Sequence, residues 1–552
     1  MPLIPVGVTD FKELRSGHFY FVDKSMFIAD VMRSGAKVTL LPRPRRFGKT
    51  MNLSMLHRFL DLREDNHALF NGLAVAQHED VMAQLGAWPT IFISFKDIKY
   101  TNFQDCQDAL AQLMARLFKE HKADIMRAEP EDLEEVIVES ILRGEARPAH
   151  LQSALATLTE LLHRATGKKA VVLIDEYDMP IHSGYHSGYY QDIVAFMRNL
   201  LSGAFKDNPH LHKGVLTGIL RLAKESIFSG FNNPDVHTLL GEPFSHHFGF
   251  TEVEVSHVLA DVGISEREAE VRRWYNGYRF GPHTMYNPWS IMKMAANPQQ
   301  PLQPHWVNTS DNILIRKLIT DRNAMSQTDL EVLINRDHLR RELNTNIVLD
   351  DFDAIALWSM LVFSGYLKTE QVQRVEGRLM ANLAIPNLEV AIFFEQTVRK
   401  WLGKQMGPSG LEPLLSALLA DEMDAFEAIF AELVKQVLSF HDTSGKEPEK
   451  VYHTFMLGML VNLRGTHDVT SNREAGFGRY DVSLLPKDPA KTAYLFEFKV
   501  AGDDPEKAAQ SAIKQIISKD YAAAARRRGI GQIRALGVAV DGKSTHIETR
   551  ML

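Results

Sequence analysis

Asp481, Glu497 and Lys499 form the pattern Asp…Glu-x-Lys, and the last two sit in the apolar run Tyr494-Leu495-Phe496-Glu497-Phe498-Lys499. If that run is a strand, its period of two puts Glu497 and Lys499 on one face, where Asp481 can arrive from a neighbouring strand. Two carboxylates can hold Mg²⁺, and an ammonium can position or activate a water and offset phosphate charge. That is the apparatus of metal-assisted phosphodiester hydrolysis. A bare pattern of this kind is common, so the surroundings matter. Glu449, Tyr452 and His453 precede it on a helical stretch, and Lys514, Gln515, Lys519 and Tyr521 follow, basic and amide groups suited to a phosphate backbone. His453 reads equally well as a core histidine. Arg526-Arg527-Arg528 suits a helix C-terminus more than a DNA clamp.

A second set lies near the start. Gly48-Lys49-Thr50 fits the end of the phosphate-loop template G-x-x-x-x-G-K-[ST], with Arg43 at the first glycine position. In such a loop, backbone N–H groups wrap phosphates, the lysine reaches their β and γ oxygens and the hydroxyl ligates Mg²⁺. A bland turn and helix cap would carry the same three residues. Context favours the loop, because a β-type run precedes it and the anion-attracting start of an amphipathic helix follows. Val171-Val172-Leu173-Ile174 then leads into Asp175 and Glu176, the order expected for a metal-shell acid and a water-activating acid. A third apolar run ends in Thr217, with Arg221 beyond it. Arg221 reads as a γ-phosphate ligand in cis, a group for a neighbouring subunit or a surface ion pair. Arg43, Arg45 and Arg46 either compensate phosphate charge or are solvated.

Elements must hold these groups in place. Apolar runs at 37–41, 90–95, 170–174 and 214–217 alternate with helical spacing at 49–62, 103–121, 150–166 and 189–205. This alternation predicts a parallel sheet covered by helices. From about 250 to 445 the pattern is mainly helical and rich in aromatic clusters. Thr443-Ser444-Gly445 reads as a linker. A helix over 451–463, strands near 467–471, 479–485 and 493–500, a long Ala-rich helix over 506–528 and a closing strand over 532–540 complete the prediction.

The chain of 552 residues has room for several cores, and at 45% apolar and 24% charged it is too apolar to be largely disordered. Its one thiol, Cys106, excludes an internal disulfide and a cysteine-based zinc cluster. Asp10 interrupts the N-terminus before any apolar signal region, and no run reaches the ~18 apolar residues of a membrane span. The expected location is the cytoplasm, with no membrane partner. Net charge is −7, yet residues 446–552 carry 17 Lys and Arg against 13 Asp and Glu, leaving −11 for the rest. The surplus permits phosphate contacts without requiring them.

Several stretches together resemble the AAA-ATPase-like proteins of bacteria that carry a C-terminal PD-(D/E)XK nuclease domain. They include Phe21-Val22-Asp23-Lys24-Ser25, Arg43-Pro44-Arg45-Arg46-Phe47-Gly48-Lys49-Thr50, Leu173-Ile174-Asp175-Glu176-Tyr177-Asp178 and Phe228-Ser229-Gly230-Phe231-Asn232-Asn233. Trp274-Tyr275-Asn276-Gly277-Tyr278-Arg279-Phe280, Tyr286-Asn287-Pro288-Trp289-Ser290 and Gly365-Tyr366-Leu367 belong with them. In the tail, residues 471–481 and Glu497-Phe498-Lys499 look like the nuclease signature. The resemblance spans nearly the whole chain, and Arg43 belongs to the family's own form of the loop.

The resemblance implies an α/β protein in three parts. These are a P-loop ATPase of the additional-strand type over 1–250, a mainly helical region over 251–445 and a restriction-endonuclease-like α/β domain over 446–552. Expected roles follow. Arg46, Gly48, Lys49, Thr50, Asp175, Thr217 and Arg221 bind ATP, Thr50 and Asp175 hold Mg²⁺, and Glu176 orients water. Asp481, Glu497 and the Phe498 carbonyl hold a catalytic Mg²⁺ or Mn²⁺, and Lys499 assists the nucleophile. Glu449, His453 and Gln515 are auxiliary. The expected partners are nucleic acid, with DNA ahead of RNA, and further copies of the chain; anti-phage defence or mobile-element biology is the expected setting. The rival readings are a nucleotide-gated binding or signalling protein with an inactive nuclease fold, and an RNA nuclease.

Overall fold

The computed structural model describes residues 2–221, 234–306, 327–334, 336–347, 353–406, 411–437, 463–471, 481–501, 504–541 and 544–552, with short stretches at 456, 459–460, 474–475 and 478–479. Glu449, Tyr452 and His453, the predicted 443–445 linker, most of the predicted helix over 451–463 and the 228–233 motif lie outside the described residues. Contacts divide the chain into two units. The first comprises Met1–Thr309 with Arg340–Glu389, and the second Ser310–Leu339 with Val390–Leu552.

The first unit is built on strands β1 (Val38–Pro42), β2 (Thr90–Ser94), β3 (Ala170–Asp175), β4 (Leu211–Gly218) and β5 (Asp235–Val236), in the order β2–β3–β4–β1–β5. All pairings are parallel. Every residue of β1 and β3 is buried, the pattern of strands covered on both faces. Strand β4 lies between β1 and β3, so the loop-bearing and acid-bearing strands are separated by one strand, as the additional-strand architecture requires. The carboxyl ends of β1, β3 and β4 share one edge of the sheet, where ligands of open α/β sheets bind.

The middle region is mainly helical, with helices that include Glu252–Asp261, Glu268–Tyr275, Pro288–Ala295 and Ala354–Phe363. Thr251 opens the first of these through a capping box with Glu254. This region also holds the hairpin β6 (Tyr278–Phe280) and β7 (His283–Met285), and a three-stranded sheet of β8 (Leu339–Leu343), β9 (Lys368–Val375) and β10 (Arg378–Ala384) in the order β8–β10–β9, with β9 and β10 antiparallel. Short or half-exposed strands of this kind lack the apolar runs that mark β1 and β3 in the sequence.

In the second unit, β11 (His467–Ser471) is followed by the two-residue pair β12 (Glu474–Ala475) and β13 (Gly478–Arg479). Then come β14 (Val482–Pro486), β15 (Ala493–Val500), β16 (Ile533–Asp541) and β17 (Ser544–Met551). The main sheet runs β11–β14–β15–β16–β17, with β15 and β16 parallel and the other pairs antiparallel. Two features depart from expectation. The Ala-rich segment is two helices, Pro505–Ser518 and Ala523–Arg527. The first ends where Asp520 turns left-handed (φ 49°) and Tyr521 N–H closes back on the Ile516 carbonyl at 3.1 Å. Strand β17 was not expected, because only Ile547 of its residues is buried and no apolar alternation announces it. Among the described residues, no helix is long and apolar enough to cross a membrane.

Candidate functional site

Strand β1 delivers the loop of residues 43–48, and the helix Lys49–Leu60 leaves from it. Gly48 sits at φ 87° with nothing within 4 Å of the place a Cβ would occupy. The helix takes no side-chain cap there, so its N-terminal N–H groups and dipole are available to an anion. Lys49 is buried and donates from Nζ to the carbonyls of Arg43 (3.1 Å) and Pro44 (3.0 Å). Burial pulls its ammonium below the ordinary lysine range, against the opposing influence of Glu176, Asp175 and Asp178. The Thr50 hydroxyl donates to Asp175 Oδ2 at 2.7 Å, and the Thr217 hydroxyl to Asp175 Oδ1 at 2.8 Å. Glu176 follows in a left-handed conformation (φ 51°) that non-glycine residues adopt rarely. Burial raises its carboxyl, with Lys49 as the largest opposing influence. A hydroxyl, a carboxylate, a buried lysine and an uncapped helix start are a donor set that fits a magnesium-bound triphosphate.

The loop arginines separate. Arg43 is fully buried, neither solvated nor turned to an anion. It donates to the carbonyls of Pro42 (2.8 Å) and His237 (2.5 Å), and its guanidinium lies 4.9 Å from the Phe248 ring centroid. Arg45 reaches the Met179 sulfur at 3.7 Å. Arg46 is exposed and lies over the Trp289 ring at 3.8 Å. Arg221 stands half-buried beyond β4, its carbonyl accepting the Ile347 N–H at 3.0 Å.

In the second unit, Val482 of β14 is paired with Phe496 of β15. Asp481 therefore stands at the start of β14, beside Glu497, and its Oδ2 accepts the Phe498 N–H at 2.7 Å. Glu497 and Lys499 share a face, with Lys499 Nζ 3.6 Å from Glu497 Oε1. Glu497 is 2% exposed, and its Oε1 also accepts from Gln515 Nε2. Its Oε2 is buried and has no hydrogen-bond partner among the described residues. Burial, and then the charge of Asp481, push the Glu497 carboxyl up to about 8. Two adjoining carboxylates with one orphaned oxygen, beside a backbone segment and an ammonium, fit a hard divalent cation.

The family model described as "Predicted AAA-ATPase" matches residues 5–228, and that of the PD-(D/E)XK nuclease superfamily matches residues 447–550. The chain joins an AAA-ATPase-like domain to a PD-(D/E)XK nuclease-superfamily domain. A protein of Azotobacter chroococcum mcd 1, described as "Uncharacterized protein in vnfD 5'region", is 29% identical across 99% of this chain and 97% of its own length.

The AAA-ATPase-like domain thus brings together Lys49, Thr50, Asp175, Glu176 and Thr217. The nuclease-superfamily domain gathers Asp481, Glu497, Lys499 and Gln515. Gln515 and Tyr521 do not line a phosphate track with Lys514 and Lys519, the set of basic and amide groups expected there. Gln515 points inward to Glu497 and also reaches the Tyr521 hydroxyl at 3.2 Å, while Tyr521 is buried and Lys514 and Lys519 are exposed. Arg526 pairs with Asp520 nearby in the chain, and Arg528 pairs with Asp468 of β11.

Sequence reasoning passed over two supports. Asp178, fully buried, accepts the N–H groups of Ile219 (2.8 Å) and Leu220 (3.0 Å), tying the end of β3 to the end of β4. Gly537 is paired with Glu497 across β15 and β16, and a Cβ there would lie 2.2 Å from the Ala509 carbonyl oxygen. Its missing side chain lets the helix Pro505–Ser518 approach the sheet and set Gln515 on Glu497; a lone glycine inside an apolar strand is the signal that marks it.

Asp30, His246 and His247 also converge, with potential ligand atoms within 4.8 Å of one another. His247 Nε2 and Asp30 Oδ2 are 2.6 Å apart, a hydrogen bond and closer than the about 3.3 Å that ligands of one tetrahedral ion keep.

Proposed function

We propose that this protein binds and hydrolyses ATP and that its C-terminal domain is a Mg²⁺- or Mn²⁺-dependent nuclease acting on DNA. One observation carries the nuclease reading: the buried Glu497 carboxylate, with an oxygen that has no hydrogen-bond partner among the described residues, faces both Asp481 and the Lys499 ammonium. A bound divalent ion supplies Lewis-acid polarisation of the scissile phosphate and neutralises developing charge. Asp481 and Glu497, with the Phe498 carbonyl, would hold that ion. Lys499, on the solvent side of Glu497, would orient the attacking water and offset phosphate charge. Gln515 fixes the Glu497 carboxylate by donating to its other oxygen. Glu449 and His453 belong to the same reading as auxiliary groups.

In the ATPase, Lys49, Gly48 and the helix start would take the phosphates, with Arg46 at the loop's exposed side. Thr50 and Asp175 would hold the magnesium ion, and Glu176 would align the attacking water. Thr217 holds Asp175 and, with Arg221, would register the γ-phosphate. Assembly into homo-oligomers and a cytoplasmic role in anti-phage defence or mobile-element biology complete the reading; a nucleotide-controlled nuclease suits both settings.

The test is incubation of the full chain with plasmid DNA and Mn²⁺. Nicking or degradation is expected, and Asp481→Ala or Lys499→Ala should abolish it. Cleavage that survives both changes overturns the nuclease assignment. Binding without cleavage across metals and ATP states would instead favour a nucleic-acid-binding protein, and preference for RNA in competition would name an RNA nuclease.

A further inference from the structure

The phosphate loop is held from outside its own sheet. The Trp306 indole N–H donates to the Arg45 carbonyl at 3.1 Å. Trp306 is 4% exposed and packs against Tyr366, with ring centroids 5.0 Å apart, and edge-on to Tyr278 at 6.0 Å. Tyr278 in turn meets Phe47 of the loop at 4.9 Å. At Gly365 an added Cβ would come within 3.0 Å of the Pro44 side chain, so this wall lies directly on the loop.

Trp306 is itself held by one buried acid. Glu389, which has no exposed surface, accepts the backbone N–H groups of His305 and Trp306 on Oε1, both at 2.5 Å, and the Ser290 hydroxyl on Oε2 at 2.9 Å. Burying a carboxylate is costly unless its oxygens are bonded, and here both are. The chain passes from the first contact unit to the second after Thr309 and again after Glu389. Trp306 and Glu389 therefore stand three residues and no residues before those two crossings.

Lys49 spends two of its hydrogen bonds on the carbonyls of Arg43 and Pro44. A triphosphate drawing on that ammonium must compete with these carbonyls, immediately beside the one that Trp306 fixes. We propose that Trp306 and Glu389 are positioning residues of the nucleotide site, which set the loop from outside and carry its occupancy to the two chain crossings into the nuclease-bearing unit. This deepens the ATP reading above and rests on it. Coupling of this kind is reciprocal: if nucleotide tightens the Trp306–Glu389 contacts, loss of those contacts weakens nucleotide.

The test uses the full chain with a fluorescent ATP analogue and Mg²⁺, and follows hydrogen exchange over residues 302–306 and 388–394 with and without ATP. In the wild type, ATP should slow exchange in both segments. Trp306→Phe and Glu389→Ala should each weaken nucleotide binding about tenfold and remove that protection. Glu389→Gln should restore both properties, since its carbonyl oxygen can accept both N–H groups while its amide donates to Ser290 Oγ. A merely structural role would leave ATP-dependent protection intact in folded Trp306→Phe. Should Trp306→Phe, with wild-type circular dichroism, bind nucleotide like the wild type, or should ATP leave both segments unchanged in the wild type, the proposal falls while the ATP reading stands. If wild type and Lys49→Ala alike bind no nucleotide, the ATP reading falls, and this inference with it.

Discussion

The Thr50 hydroxyl and the Asp175 carboxylate meet at 2.7 Å, although 125 positions separate them in sequence. Thr50 opens the helix after β1 and Asp175 closes β3, with β4 between those strands. Thr217, from that intervening strand, fills the other oxygen of Asp175. The carboxylate is thus oriented by a hydroxyl on each side, and Glu176 leaves the strand directly after it in a left-handed turn whose next N–H, that of Tyr177, donates to the Thr217 carbonyl at 3.0 Å.

From this placement, Glu176→Gln should retain ATP and lose its hydrolysis by about 100-fold or more, the scale of a lost general base. Lys49→Ala should instead lose nucleotide binding. Phosphate release and fluorescent-analogue binding, measured on the same preparations, separate the two; equal hydrolysis in wild type and Glu176→Gln would remove Glu176 from the reaction.

Glu497 sets a pH dependence. Its carboxyl is raised from the ordinary 4.5 to about 8, so below about 8 a proton occupies the group that a metal needs. Apparent Mg²⁺ affinity in the cleavage assay should therefore rise with pH, by up to about tenfold per unit, and level off above about 8. In chelator the sign for stability is the reverse. Between 4.5 and about 8 the native state binds more protons here than the unfolded chain, so stability falls as pH rises through that window. Glu497→Gln should flatten this decline in denaturant titrations and abolish cleavage. A decline as steep as that of the wild type would mean that another group dominates.

Gly537→Ala tests how closely the helix Pro505–Ser518 must approach the sheet. The new Cβ would press on the Ala509 carbonyl, which is backbone and cannot swing aside. A loss of about 1–3 kcal/mol is expected from overpacking, read by chemical denaturation. Cleavage should fall with it, because Gln515 is lifted from Glu497. Gln515→Ala, which leaves the helix seated, should weaken metal-dependent cleavage about 10- to 100-fold, as loss of an outer partner of a metal ligand does. Unchanged metal dependence in both variants would deny Gln515 its part.

The chemistry-bearing residues were legible because their surroundings are local. Four apolar residues in a row before Asp175 mark a strand buried on both faces, and the two-residue interval from Glu497 to Lys499 fixes a shared face wherever that strand lies. The two helices expected as one, and the unheralded β17, show where local pattern fails. Asp520 breaks the helix through a backbone conformation that the Ala-rich composition does not encode, and β17 gains its place by edge pairing with β16.

What the sequence alone determined was the inventory: a phosphate loop, an acid pair after a buried strand, and Asp…Glu-x-Lys. Only the tertiary structure decided that Arg43 is a core residue, that Gln515 faces inward and that Trp306 and Glu389 hold the loop. Those assignments depend on partners up to 261 positions away, as for Trp306 and Arg45. The strength of a buried hydrogen bond or the cost of a buried charge is set by which groups surround it in space, and adjacency along the chain does not specify that.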